Sequence, residues 1–103
     1  DLVKTPTVLK GGVSVWAQYT IELAGRDNLG PQLREQGIPT AVYYPIPIHK
    51  QGVYSAYPTA PAGLPVTEAK AGQVISLPMH PYLKEDEQDQ IVAAIRAFVK
   101  KNA

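Results

Sequence analysis

The stretch from Glu85 to Lys101 constrains this chain most, because its pattern fits only an amphipathic helix. Its first turn is acidic (Glu85, Asp86, Glu87) and its last is basic (Lys100, Lys101), and both placements complement the helix macrodipole. Ile91, Ile95, Phe98 and Val99 form an apolar stripe with Ala94 beside it, and such a stripe has to be covered by a second layer.

The upstream residues supply that layer. From Val13 to Leu23 the pattern alternates, with Val13, Val15, Ala17, Tyr19, Ile21 and Leu23 on one face and Ser14, Trp16, Gln18, Thr20 and Glu22 on the other. This predicts a strand with one apolar face and leaves the Trp16 indole as a surface for a partner. Gly25 ends it. A helix follows to Gln36, with Asp27 as N-cap or first-turn acid, Leu29 and Leu33 on its buried side, and Gly37 as a left-handed C-cap. Ile38 to Tyr44 is β-rich and closed by Pro45, which predicts a second strand. Between Gln51 and Leu64 a turn of helix and an irregular loop are expected. Pro65 suits the first position of a short helix from Val66 to Gln73, and Val74 to Leu77, closed by Pro78, predicts a third strand. Residues 1–12, punctuated by Pro6 and Gly11-Gly12, read as a linker, and residues 13–103 as one α+β domain whose small three-stranded sheet is covered by helices on one face.

Composition excludes several functions. Ten Lys+Arg against nine Asp+Glu give a formal net charge of +1, which is no footprint for nucleic acid. With no cysteine there is no disulfide framework and no thiolate chemistry, which fits a reducing compartment, with the cytoplasm as the expectation. No apolar run approaches the ~18 residues that cross a bilayer, so no membrane contact is expected. The charged share of 18% is low for a small domain, as if part of the surface were covered by something else. The abrupt start at Asp1, without an initiator Met, reads as a piece of a longer protein.

Candidate chemistry concentrates in Tyr43-Tyr44-Pro45-Ile46-Pro47-Ile48-His49-Lys50-Gln51. Two φ-locked prolines hold two phenols and an imidazole in a stiff path at a strand end, where they can exchange hydrogen bonds with a polar ligand. His49 and His80 are the only histidines, and without an acidic cluster they make no metal site. Neither has an obvious partner for general acid/base work. No nucleophile elbow, phosphate loop or paired-carboxylate site occurs, so the chain has no self-sufficient catalytic set.

Three blocks are specific in their order and spacing: Trp16-Ala17-Gln18-Tyr19-Thr20-Ile21; Gln36-Gly37-Ile38-Pro39-Thr40 running into Tyr43 to His49; and Ser76-Leu77-Pro78-Met79-His80-Pro81-Tyr82-Leu83. Together, from about Gly12 onward, they resemble the C-terminal small domain of the DegT/DnrJ/EryC1/StrS family of pyridoxal-phosphate-dependent nucleotide-sugar aminotransferases. The resemblance implies a mainly antiparallel three-stranded sheet packed on helices, as in fold type I aminotransferases. It also implies a separate N-terminal large domain that holds pyridoxal phosphate on a lysine in a Ser-x-x-Lys-like context. No lysine here has that context, so no cofactor and no catalytic residue is expected on this chain, which alone should be inactive.

By the same resemblance the full enzyme, a homodimer, would move an amino group, usually from glutamate, to a keto sugar on a nucleotide. The form of the second and third blocks is closest to members that aminate the 3-position of a UDP-linked 2-acetamido sugar acid for surface polysaccharides. Tyr43 and Tyr44 match substrate-contact positions, with His49 at the same rim; Tyr43 stands where relatives often carry histidine. His80 reads as structural, and Lys84 replaces the Ser or Thr that relatives often use as a helix N-cap. Two other readings are a free-standing small-molecule-binding module, with Tyr43, Tyr44 and His49 as its whole pocket, and a purely structural interaction domain that uses Trp16.

Overall fold

The computed structural model describes residues 2–103. Its elements are β1 (Val3–Lys4), β2 (Tyr19–Leu23), α1 (Arg26–Glu35), α2 (Pro65–Ala71), β3 (Val74–Leu77) and α3 (Glu85–Asn102), with single 3-10 turns at Ile48–Lys50 and Gly52–Tyr54. The sheet runs β1-β2-β3 and is antiparallel throughout: Val3 faces Leu23, and Ile21 faces Ile75. This is the expected α+β architecture.

Side chains alternate across the sheet, so Ile21, Leu23 and Ile75 share the face that α1 and α3 cover. Leu29 and Leu33 of α1 are fully buried there, and Ile91, Ala94, Ile95 and Phe98 of α3 close the core. Each such large aliphatic side chain taken from water contributes about 2 kcal/mol. The opposite face is polar. Thr20 and Ser76 stand opposite each other, their hydroxyls 2.8 Å apart, and Glu22 lies beside them.

The α1 exit forms as Gly37 predicts. Gly37 takes φ +75°, its N–H donates to the Arg34 carbonyl at 3.0 Å, and the Ile38 N–H donates to Leu33 at 2.9 Å. That double bond is a Schellman motif, and it sends Ile38 back into the core beside Leu33. Asp27 is the first-turn acid rather than the N-cap, a place taken by Gly25. Lys84 is the N-cap of α3, and its N–H donates to Glu87 Oε2 at 2.8 Å. Only that half of a capping box is available, because an ammonium cannot accept a bond from the helix.

Three expectations are corrected. The strand from Val13 to Leu23 exists only from Tyr19 onward, and Val13 and Val15 are each 94% exposed. Alternation marks which face could be buried, but β3 ends at Leu77 opposite Tyr19, so earlier residues have no neighbour to pair with. There the Ser14 Oγ accepts the Trp16 N–H at 3.1 Å, and Trp16 turns to φ +45° with its ring against Tyr19.

The strand from Ile38 to Tyr44 shrinks to one bridge, Ala41 to Ser76, at 3.1 and 2.7 Å. Continuing the same register would set Pro39 against Pro78, and neither can donate. On the other side the Val74 carbonyl is already taken by Arg26 Nη1 at 2.9 Å. The third strand comes instead from the expected linker, where Val3–Lys4 pairs with Leu23 and Glu22.

Candidate functional site

Beyond the Ala41 bridge the chain rises into the Tyr43–Gln51 segment and curls over α2, enclosing an open cleft of about 890 Å³. Pro45 and Pro47 set the path, and Pro47 caps the Ile48–Lys50 turn, with the Lys50 N–H donating to its carbonyl at 2.9 Å. A second turn follows, in which Tyr54 donates to Gln51 at 2.9 Å and Tyr57 to Tyr54 at 3.0 Å. This i, i+3 spacing puts the Tyr54 and Tyr57 rings 6.0 Å apart on the cleft lining.

Tyr43 and Tyr44, joined by a cis peptide, form the near wall, with ring centroids 5.5 Å apart in an edge-to-face arrangement. They are 47% and 71% exposed, so their phenols are open to a ligand. The structure therefore brings Tyr43, Tyr44 and His49 onto one cleft, which Tyr54 and Tyr57 also line. The spacing of the latter two was the available signal.

His49 differs from the tyrosines because its side chain is only 16% exposed and it has a partner after all. Its Nε2 donates to Glu68 Oε1 at 2.9 Å, and Lys50 Nζ reaches Glu68 Oε2 at 3.2 Å. The His49 hydrogen bond, and after it that of Lys50, hold the Glu68 carboxyl below its ordinary pKa of 4.5. No sequence signal joins residues nineteen apart on a turn and a helix.

His80 lies elsewhere. Its Nδ1 accepts the Tyr82 N–H at 3.2 Å and its carbonyl accepts the Leu83 N–H at 3.1 Å, a turn that delivers the chain into α3. Among the described residues no cluster of His, Cys, Asp or Glu could hold a metal ion, and no helix is long and apolar enough to cross a membrane.

Lys70 is the lysine that lines the cleft. Its ammonium is bonded to the Glu22 carboxylate, with Lys4 Nζ 3.9 Å from the same oxygen. The Lys70 bond holds Glu22 below its ordinary pKa, and in return Lys70 is raised above 10.5. A lysine that bonds a carbonyl cofactor needs a neutral amine, hence a lowered pKa. Lys70 is instead tied up as an ammonium by the Glu22 carboxylate, so it does not fit that role. Among the described residues no carboxylate lines the cleft, and its lining carries aromatic rings, hydrogen-bonding tips and the Lys70 ammonium, which Glu22 already pairs. Such a wall suits a polar ligand that carries a ring.

Comparison with known proteins agrees with the sequence blocks. The family model described as the DegT/DnrJ/EryC1/StrS aminotransferase family matches residues 2–96. The chain is 44% identical over 100 residues to a pleiotropic regulatory protein of Geobacillus stearothermophilus, covering 97% of this chain and 27% of that protein. It is 43% identical over 93 residues to a UDP-2-acetamido-2-deoxy-3-oxo-D-glucuronate aminotransferase of Pseudomonas aeruginosa, covering 90% and 25%. A crystal structure of a DegT DnrJ EryC1 StrS aminotransferase from Brucella abortus superposes with a TM-score of 0.88 at 49% identity, covering 94% of this chain and 26% of that one. The chain thus spans about a quarter of the length of the relatives it matches.

Proposed function

The chain belongs to the DegT/DnrJ/EryC1/StrS aminotransferase family, and from that premise we propose that it is the C-terminal small domain of an enzyme that aminates a nucleotide-linked keto sugar. The observation that carries this reading is the cleft, a wall of phenols and an imidazole with no carboxylate among the described residues of its lining. A sugar nucleotide presents hydroxyls, a planar base and a diphosphate, and an acidic wall would repel it.

In this reading Tyr43 and Tyr44 hydrogen-bond the substrate and shape the cleft, and His49 stiffens the same rim. None of them is a nucleophile or base. The amino-transfer chemistry would be supplied by pyridoxal phosphate on a lysine of the large domain, and Lys70, bonded to Glu22, is unsuited to hold it. The name of the Pseudomonas relative favours a UDP-linked 2-acetamido-3-keto sugar acid as the substrate. Glutamate is the proposed donor, a cytoplasmic homodimer the proposed assembly, and surface polysaccharide the proposed destination.

The test is release of 2-oxoglutarate by the full-length protein supplied with glutamate and UDP-2-acetamido-3-keto-glucuronic acid. Turnover is expected. No release with this or any dTDP-linked 3-keto sugar would overturn the reading. Tight binding of the nucleotide sugar to the 103-residue chain alone would favour a free-standing binding module instead.

A further inference from the structure

Glu68 does not line the cleft, yet it fastens the aromatic wall to the rest of the domain. Upstream the wall is tied to the sheet at Ala41, before the tyrosines. Downstream it closes on itself: Lys50 donates to Pro47, Gln51 donates to Ile48, and the Gln51 side chain donates to the Ile46 carbonyl at 3.2 Å. These bonds make a compact turn but attach it to nothing else.

Glu68 makes the attachment. Its two oxygens hold two consecutive residues of the turn, His49 at 2.9 Å and Lys50 at 3.2 Å. The helix that carries Glu68 is itself anchored, because Arg26 donates to the Ala71 carbonyl at 2.6 Å. Between His49 and Tyr44, Pro45 and Pro47 lock φ, which leaves fewer torsions to absorb a shift at His49.

We infer that Glu68 is a positioning residue for the site: through His49 and Lys50 it sets where the Tyr43 and Tyr44 rings stand in the cleft, and thereby the affinity for the nucleotide sugar. The substrate half of this inference rests on the proposed function; the positioning half does not. Because Glu68 points at His49 and Lys50 rather than into the cleft, it acts through geometry. A direct electrostatic role has the opposite sign, since removing a negative charge near an anionic substrate would tighten binding.

The test uses the full-length protein labelled with 3-fluorotyrosine, its Tyr43 and Tyr44 resonances assigned with Tyr43→Phe and Tyr44→Phe. In Glu68→Gln both resonances should shift or broaden while that of Tyr19, on β2, stays in place. The KM for the keto-sugar nucleotide should rise roughly five-fold, as loss of about one hydrogen bond implies, with kcat little changed. Adding Glu68→Gln to Tyr44→Phe should raise KM by much less than that. Unmoved resonances, a lowered KM or full additivity would overturn the inference. If no keto-sugar is turned over, the proposed function falls and the fluorine spectrum still decides the positioning. Should Glu68→Gln not fold, Lys50→Met removes one of the two contacts and is read in the same way.

Discussion

Arg26 Nη2 donates to the Ala71 carbonyl at 2.6 Å, which ties the first residue of α1 to the last of α2 across forty-five positions. Nη1 reaches the Val74 carbonyl at 2.9 Å, and Nε lies 2.8 Å from Asp27 Oδ1 without the alignment of a hydrogen bond. The side chain is only 4% exposed, so the guanidinium satisfies one buried and one partly buried carbonyl. It also occupies the outer edge of β3, where a further strand would otherwise pair.

Arg26→Met should therefore destabilise the chain by about 2 kcal/mol, the cost of leaving one buried and one partly buried acceptor unpaired. Arg26→Lys should recover little of this, because an ammonium lacks the planar fork that serves two carbonyls at once. Urea unfolding of the three proteins checks both expectations. A loss under ~0.5 kcal/mol for Arg26→Met would mean that water replaces the guanidinium.

Tyr44→Phe removes the phenol of an exposed residue that lines the cleft, its ring edge-on to that of Tyr43. Stability should be unchanged, and kcat/KM for the nucleotide sugar in the full-length protein should fall by a hydrogen bond's contribution of ~0.5–1.5 kcal/mol. Tyr43→Phe should act in the same direction. Equal kinetics for wild type and both variants would remove the tyrosines from the site.

The Glu22–Lys70 pair sets two limits on stability in pH. Glu22 is held below its ordinary 4.5, chiefly by the Lys70 hydrogen bond, so its contribution is present above 4.5 and lost as pH falls through its folded value. Lys70 is raised above 10.5, chiefly by the same bond, so its contribution is complete below 10.5 and lost as pH climbs through its folded value. Glu22→Gln should flatten both flanks of a melting-temperature profile, most visibly at low salt. A profile identical to wild type would show that the pair adds nothing to folding.

Lys84→Ser should stabilise the chain by about 1 kcal/mol. The backbone at Lys84 already has cap geometry, with φ −81° and ψ 161°, and Glu87 already accepts its N–H. A serine hydroxyl would supply the missing acceptor for the helix N–H and complete the box. Denaturant midpoints compare the two proteins directly, and an unchanged midpoint would mean that solvent caps this helix as well as a hydroxyl does.

The parts that were legible in sequence rest on local physics. The α3 helix, the Pro65 start of α2, the Gly37 exit from α1 and β3 each depend on periodicity, a cap or a bracketing proline within a few residues. The tyrosine pair and its prolines marked one wall of the cleft for the same reason.

Strand length was not local. Val13 to Gln18 carry a strand's alternation and Ile38 to Tyr44 a strand's composition, but a ladder forms only where a partner offers free donors and acceptors. Opposed prolines and the Arg26 guanidinium removed those from one segment, and the end of β3 removed them from the other.

By itself, then, the sequence determined the helices, the caps, the family resemblance and the residue types of the cleft, because these are properties of neighbouring residues. Only the tertiary structure decided which segments became strands, that Glu68 holds His49 and Lys50, and that Arg26 is buried. Each of these joins groups distant in the chain, and their pairing exists only once the core of Leu29, Leu33, Ile75 and Phe98 has brought the layers together.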